Sequence, residues 1–101
     1  MFETFWNMHS QWSNETFGVD RGPIGALKHL EREAKEAQSK PTDLEEYADC
    51  MLLIVDAARR AGLTPTTLLA LCFYKLEKCK RRVWPKPTSY EPVEHIRGIN
   101  D

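Results

Sequence analysis

The chain has 101 residues, of which 42% are hydrophobic and 29% charged, and its 14 basic and 15 acidic residues almost cancel. This length predicts one domain, residues 1–101, with one core, and the composition excludes disordered, collagen-like and mucin-like proteins. The nearly neutral charge argues against a protein that coats nucleic acid or an anionic membrane.

The first predicted elements are two helices separated by a loop. Residues 2–12 contain five apolar side chains and predict a short aromatic-rich helix. Residues 13–22 predict a loop, because they hold two glycines and show no hydrophobic periodicity. A second helix is expected to start at Pro23 or Ile24, since proline suits a first helical turn, and to run to about Gln38.

Two further helices and a tail follow. Asp43 is a candidate N-cap for a helix that ends near Ala61, before Gly62. Thr64 opens the last helix, which ends near Val83. No segment alternates with a period of two, and short connections favour antiparallel neighbours, so the predicted fold class is an all-α antiparallel helical bundle. Its predicted parts are an N-terminal helix and loop (1–22), a helical core (23–84) and an extended C-terminal tail (85–101).

Carboxylates are paired on two consecutive predicted helices. Glu46, Asp49 and Asp56 share one row of a helix whose middle is apolar all round, which predicts that the helix is enclosed. A carboxylate in such a place is costly unless it is paired or binds a metal. Glu33 and Glu36 form a matching pair on the preceding helix, and packed helices can direct both pairs into one space. Oxygen ligands without His or Cys favour Mg²⁺ or Mn²⁺; the alternative is that these are surface carboxylates.

Basic residues stand in an apolar stripe of the last helix. Lys75 and Arg82 lie within the stripe, and Lys78 lies at its edge. These cations predict contact with a polyphosphate. The alternative is that their long side chains extend past apolar neighbours to water.

The E-x-x-E and E-x-x-D pairs at Glu33, Glu36, Glu46 and Asp49 resemble those of the MazG-like all-α nucleoside triphosphate pyrophosphohydrolases. Nearly the whole chain resembles one branch of them, the dATP/dGTP diphosphohydrolases of phages and prophages (the MazZ-like group). The matching segments are 9–18 (HSQWSNETFG), 22–36 (GPIGALKHLEREAKE), 43–62 (DLEEYADCMLLIVDAARRAG), 75–85 (KLEKCKRRVWP) and 92–97 (PVEHIR).

This resemblance implies an enzyme that hydrolyses purine deoxynucleoside triphosphates between the α- and β-phosphates, using metal-activated water. It implies four ligands to Mg²⁺ or Mn²⁺, namely Glu33, Glu36, Glu46 and Asp49. Glu33 or Glu36 is expected to orient or deprotonate the water, and either could do so. Asp56 is a candidate additional ligand or a partner to the ligands.

The resemblance also bears on substrate contacts and assembly. The family's K-x-x-x-N-x-x-R stretch, which implies phosphate contact, falls on Lys75, Cys79 and Arg82, with Cys79 in place of asparagine. A homo-oligomer, dimeric or tetrameric, is implied. Base recognition is expected from N-terminal side chains that can stack and hydrogen-bond: His9, Gln11, Trp12, Thr16 and Phe17. The alternative for these residues is a structural role in the core or on the surface.

Two other functions fit the same sequence. One is a pyrophosphohydrolase for dUTP or dCTP on the same scaffold. The other is a non-catalytic helical adaptor whose apolar faces pair with a host protein. With no apolar run near the ~18 residues of a membrane span, we expect a cytoplasmic protein (in the host cell if phage-encoded), with no membrane or nucleic acid polymer as partner.

Overall fold

The computed structural model describes residues 1–101, which form four α-helices and no strand. The helices are α1 (Phe2–Phe17), α2 (Ile24–Ser39), α3 (Glu45–Arg60) and α4 (Pro65–Arg81). The all-α prediction is confirmed. None of the helices has the length and hydropathy that crossing a membrane requires.

The residues group into two compact units, Met1–Leu68 and Leu69–Asp101. The first unit contains α1, α2 and α3, and the second contains most of α4 and the C-terminal segment. These units do not coincide with the three predicted parts of the chain. The single-domain organisation stays a prediction.

Helix α1 is longer than the sequence predicts. Residues 13–17, predicted to be a loop, continue the helix to Phe17, and Gly18 with a φ of 97° ends it. Ser13 is completely buried, and its hydroxyl accepts a hydrogen bond of 2.9 Å from Arg60 of α3. Asn14 accepts one of 3.0 Å from Arg59. These hydrogen bonds from α3 stabilise the last turn of α1, which the hydrophobic periodicity of the sequence does not predict.

Helices α2 and α3 pack antiparallel in the first unit, since Glu33 lies beside Asp49 while Gly25, eight residues earlier, shares a cavity with Asp56. Helix α3 begins at Glu45, and Leu44 occupies its N-cap position without a side-chain hydrogen bond. The predicted N-cap, Asp43, lies one residue earlier, and its carboxylate accepts the Glu45 backbone N–H over 3.3 Å. Gly62 follows the helix with a φ of 99°, a conformation that glycine adopts without strain.

The predicted enclosure of α3 is wrong for the single chain. Val55 is completely buried, but Met51 is 46% exposed, and Leu52 and Ile54 are also exposed. The side of α3 that faces the interior of this unit includes the carboxylates of Glu46 and Asp56, which are buried. The protein therefore places acidic groups inside and leaves apolar side chains of the same helix outside.

The second unit is held by the end of α4 and by the tail. Helix α4 starts at the end of the first unit with a reciprocal cap, in which Thr64 and Thr67 each accept the other's backbone N–H. Residues 85–101 contain no helix or strand, and the Ile96 N–H donates to the Val83 carbonyl over 2.6 Å. The tail thus bends back onto the residues that follow α4.

Candidate functional site

Three carboxylates converge between α2 and α3. Oxygens of Glu33, Glu46 and Asp49 all lie within 4.8 Å of one another. Glu33 is half-buried, Glu46 is only 6% exposed, and Asp49 is exposed. The E-x-x-D spacing puts Glu46 and Asp49 on one row of α3, and antiparallel packing brings Glu33 opposite that row.

The environment of Glu46 suits a divalent cation. Its Oε2 atom is buried and has no hydrogen-bond partner. Burial raises the pKa of Glu46, and the charges of Glu36, Asp43 and Asp49 raise it further. A buried acceptor without a donor destabilises a protein, and a Mg²⁺ or Mn²⁺ ion bound by these hard oxygen atoms would remove that cost. The residues present therefore fit the predicted metal.

Glu36, the fourth predicted ligand, is not among the three converging carboxylates. It is exposed, and its nearest cation is the Nζ atom of Lys40 at 3.9 Å. Its charge nevertheless contributes to the raised pKa of Glu46. The role of Glu36 as a ligand stays a prediction.

His29 contacts the cluster, although it is not among the site residues predicted from the sequence. Its Nε2 atom lies 3.1 Å from Oε1 of Glu33, one turn further along α2. A histidine four residues before a glutamate is a pair that helical spacing brings together. That spacing is the signal that could have identified the contact.

A cavity of about 250 Å³ joins the carboxylates to aromatic side chains of α1. Glu33 and Asp49 line one part of it, and His9, Trp12 and Phe17 line another. The Trp12 and Phe17 rings meet edge to face with centroids 5.5 Å apart, and the His9 ring stacks on Trp12 at 6.1 Å. Three of the five predicted base-binding residues therefore share a cavity with predicted metal ligands.

The other two predicted base-binding residues lie elsewhere on α1. Gln11 is exposed, and its amide donates to the Glu15 carboxylate over 3.1 Å. Thr16 is exposed and does not line the cavity. Base recognition by Gln11 and Thr16 stays a prediction.

Asp56 belongs to an arginine cluster rather than to the three-carboxylate cluster. Arg59 donates to its Oδ1 over 2.7 Å, and Arg60 donates to its Oδ2 over 3.2 Å. Burial alone would raise the pKa of Asp56, but hydrogen bonds from Arg59, Ser13 and Arg60 outweigh burial, so the pKa is lowered. Arg59 and Arg60 are not among the site residues predicted from the sequence, although their i+3 and i+4 spacing from Asp56 is a signal for this contact. Metal binding by Asp56 stays a prediction.

The predicted phosphate-contacting residues lie in the second unit. Lys75 is exposed and Lys78 is half-buried on α4, and Arg82 follows its last residue. The Nε atom of Arg82 is buried without a partner. Cys79, which replaces the family's asparagine, uses its backbone carbonyl to accept a bond of 2.8 Å from the Trp84 indole. The phosphate role of these residues stays a prediction.

Comparisons with known proteins agree with the sequence resemblance. The chain is 46% identical over 89 residues to the Eaa protein of Salmonella phage P22, a match covering 88% of this chain and 28% of that protein. The chain thus spans under a third of that relative's length. The fold is similar to the structure of a cyanophage S-2L MazG-like pyrophosphohydrolase bound to dGDP and three catalytic Mn²⁺ ions per active site. That match has a TM-score of 0.79 and 23% identity, and covers 98% of this chain and 95% of the other.

The family is established by the extent of the sequence match. The model of the dATP/dGTP pyrophosphohydrolase family matches residues 5–101, which is nearly the whole chain. The resemblance inferred from the acidic pairs is confirmed. This protein belongs to the dATP/dGTP pyrophosphohydrolase family.

Proposed function

We propose that the protein hydrolyses dATP and dGTP to the monophosphate and pyrophosphate, with Mg²⁺ or Mn²⁺ as cofactor. The observation that carries this proposal is the buried, unpartnered Glu46 carboxylate within 4.8 Å of Glu33 and Asp49. Membership of the family supports two parts of this proposal, namely cleavage between the α- and β-phosphates and purine nucleotides as substrates. The dGDP and Mn²⁺ ions named for the cyanophage enzyme support the same ligand classes.

Glu33, Glu46 and Asp49 would hold the cations, and Glu36 would join them as the fourth ligand that the resemblance implies. Bound divalent cations supply positive charge that offsets the phosphate oxygens and makes water more acidic. The repulsion that raises the pKa of Glu46 favours cation uptake, because a cation relieves it.

A carboxylate of the chain accepts the proton of the attacking water. Glu33 or Glu36 orients a water molecule toward the α-phosphorus and accepts its proton as the new P–O bond forms. The bond from the α-phosphorus to the bridging oxygen breaks, and the electron pair leaves with pyrophosphate. His29, 3.1 Å from Oε1 of Glu33, fixes the orientation of that carboxylate.

The base would occupy the cavity that the carboxylates share with α1. Trp12 and Phe17 offer ring surfaces, and stacking on an aromatic side chain contributes about 1–3 kcal/mol per base. Burial lowers the pKa of His9, so its imidazole is neutral and can both donate and accept a hydrogen bond. We include Gln11 and Thr16 in base recognition on the resemblance alone.

Lys75, Lys78 and Arg82 are proposed to contact substrate phosphates. The support is their charge and their match to the family's basic stretch. Arg82 adds one observation, since its buried Nε atom lacks an acceptor and a phosphate oxygen would be one.

The protein is further proposed to be a homo-oligomer, dimeric or tetrameric. No residue of α4 is buried, and its Phe73 is 70% exposed. Met51 and Ile54 of α3 are exposed as well. Apolar surface of this kind marks an interaction site, and a second copy is the partner the family implies. Sedimentation equilibrium should give two or four times the chain mass of 11.7 kDa, and a monomer at all concentrations would contradict this proposal.

One substrate panel tests the function. The protein is incubated with each deoxynucleoside triphosphate and with Mg²⁺, Mn²⁺ or EDTA, and the products are separated by anion exchange. We expect monophosphate and pyrophosphate from dATP and dGTP, and no turnover in EDTA. Turnover of dUTP or dCTP instead would contradict the purine assignment, and no turnover of any nucleotide would favour the adaptor.

A further inference from the structure

A second cavity, of about 240 Å³, adjoins the proposed nucleotide cavity. The two cavities share four lining residues, Phe17, His29, Leu53 and Asp56. The second cavity adds no further carboxylate. It adds the side chains of Arg21 and Arg32 and the start of α2 around Gly22 and Gly25.

The charge of this second cavity is positive and uncompensated. Neither Arg21 nor Arg32 forms an ion pair with a carboxylate. Asp56, the one carboxylate in the lining, is already bonded to Arg59 and Arg60. Two guanidinium groups are therefore available to an anion, and guanidinium is the side-chain group that binds phosphate through two parallel hydrogen bonds.

Local sequence explains how the two arginines reach this place. A Cβ atom on Gly25 would meet Nη2 of Arg21 at 3.5 Å, so the guanidinium of Arg21 lies against the first turn of α2. Arg32 comes two turns later on α2 and directly precedes Glu33. His29 lines both cavities and contacts Glu33, so it stands between the arginines and the carboxylate cluster.

We propose that Arg21 and Arg32 bind the β- and γ-phosphates of the substrate, and therefore pyrophosphate before its release. This inference rests on the proposed function. The base interacts with the aromatic side chains of α1, the α-phosphate lies at the carboxylate cluster with its cations, and the rest of the phosphate chain extends into the arginine-lined cavity. Arg21 and Arg32 therefore contribute to binding of the β- and γ-phosphates and do not contribute to binding of the base.

Binding of inorganic pyrophosphate and of dAMP, measured by calorimetry in Mg²⁺, tests the proposal. The double variant R21Q/R32Q should bind pyrophosphate at least about 10-fold more weakly, because hydrogen bonds to charged groups are lost. It should bind dAMP with unchanged affinity. R21K/R32K keeps the charge without the planar fork and should lose less affinity for pyrophosphate.

A matched control removes the same amount of charge from α2 outside the cavity. K28Q/K35Q changes two exposed lysines of α2 that line neither cavity, and it should bind pyrophosphate like the wild type. Equal weakening in R21Q/R32Q and K28Q/K35Q, equal loss of dAMP and pyrophosphate, or unchanged pyrophosphate affinity in R21Q/R32Q would overturn the proposal. If the wild type cleaves no nucleotide, the proposed function fails, while pyrophosphate binding still reports on the cavity by itself.

Discussion

Two buried carboxylates of α3, Glu46 and Asp56, lie in opposite electrostatic surroundings. They are similarly buried, at 6% and 8% exposure, and stand on the same row of the helix. Asp56 is surrounded by donors, and its pKa is lowered despite burial. Glu46 has a buried oxygen with no donor and three acidic neighbours, and its pKa is raised. Asp56 forms ion pairs with Arg59 and Arg60, whereas Glu46 forms no ion pair.

This difference separates a charge that stabilises the fold from one that we propose to bind metal. The Arg59, Arg60 and Asp56 cluster ties the end of α1 to α3, since Arg60 also donates to Ser13 and to the Gly18 carbonyl. The buried Oε2 of Glu46 has no donor, and only the charge of Lys40 acts against the three acidic neighbours that raise its pKa. Burial alone does not distinguish the two roles, whereas the count of hydrogen-bond partners does.

The largest effect is expected from removing the charge of Glu46, the proposed metal ligand. E46Q should lower kcat/KM by more than about 100-fold, because even indirect partners of metal ligands commonly contribute 10- to 100-fold. The free energy of unfolding without metal should not fall, since the change removes a repelled charge. Steady-state kinetics and urea unfolding measure the two quantities. E45Q, at an exposed neighbour outside the cluster, is the control, and wild-type turnover in E46Q would disprove the metal assignment.

A smaller effect is expected from breaking the structural carboxylate. D56N should lower the free energy of unfolding by about 3 kcal/mol, because it leaves two largely buried guanidinium groups without their charged partner. Urea unfolding again provides the measurement. E77Q breaks the exposed pair with Lys80 and should cost less than about 1 kcal/mol. Equal losses in the two variants would show that the arginine cluster does not stabilise the fold.

The smallest expected effect is the pH dependence of the stability that Asp56 contributes. Because the pKa of Asp56 is lower in the folded state than its ordinary value of 3.8, its stabilisation is fully present above that value. It is lost as the pH falls through the folded-state pKa. Melting curves of the wild type and D56N should therefore converge below pH 3.8 and stay apart at neutral pH. Parallel pH profiles would mean that Asp56 is not the titrating group.

Much of the fold followed from local signals. Turn residues such as Gly62 and the pair Thr64-Pro65 placed the helix ends to within about two residues, because capping chemistry is local. The end of α1 was missed, since Ser13 and Asn14 are held in the helix by arginines more than forty residues away. The same long separation hid the arginine cluster of Asp56.

The sequence by itself determined the helical fold class, the family and the acidic pairs, because each depends on spacing along the chain. Only the tertiary structure decided which charges are neutralised, since that depends on groups brought together from different helices. It gives Glu46 and Asp56 different electrostatic surroundings. It places aromatic side chains of α1 in one cavity with Glu33 and Asp49. It also leaves Arg21 and Arg32 without an ion pair in the neighbouring cavity. Electrostatic energy depends on distance and burial in space, and neither can be read from spacing in sequence.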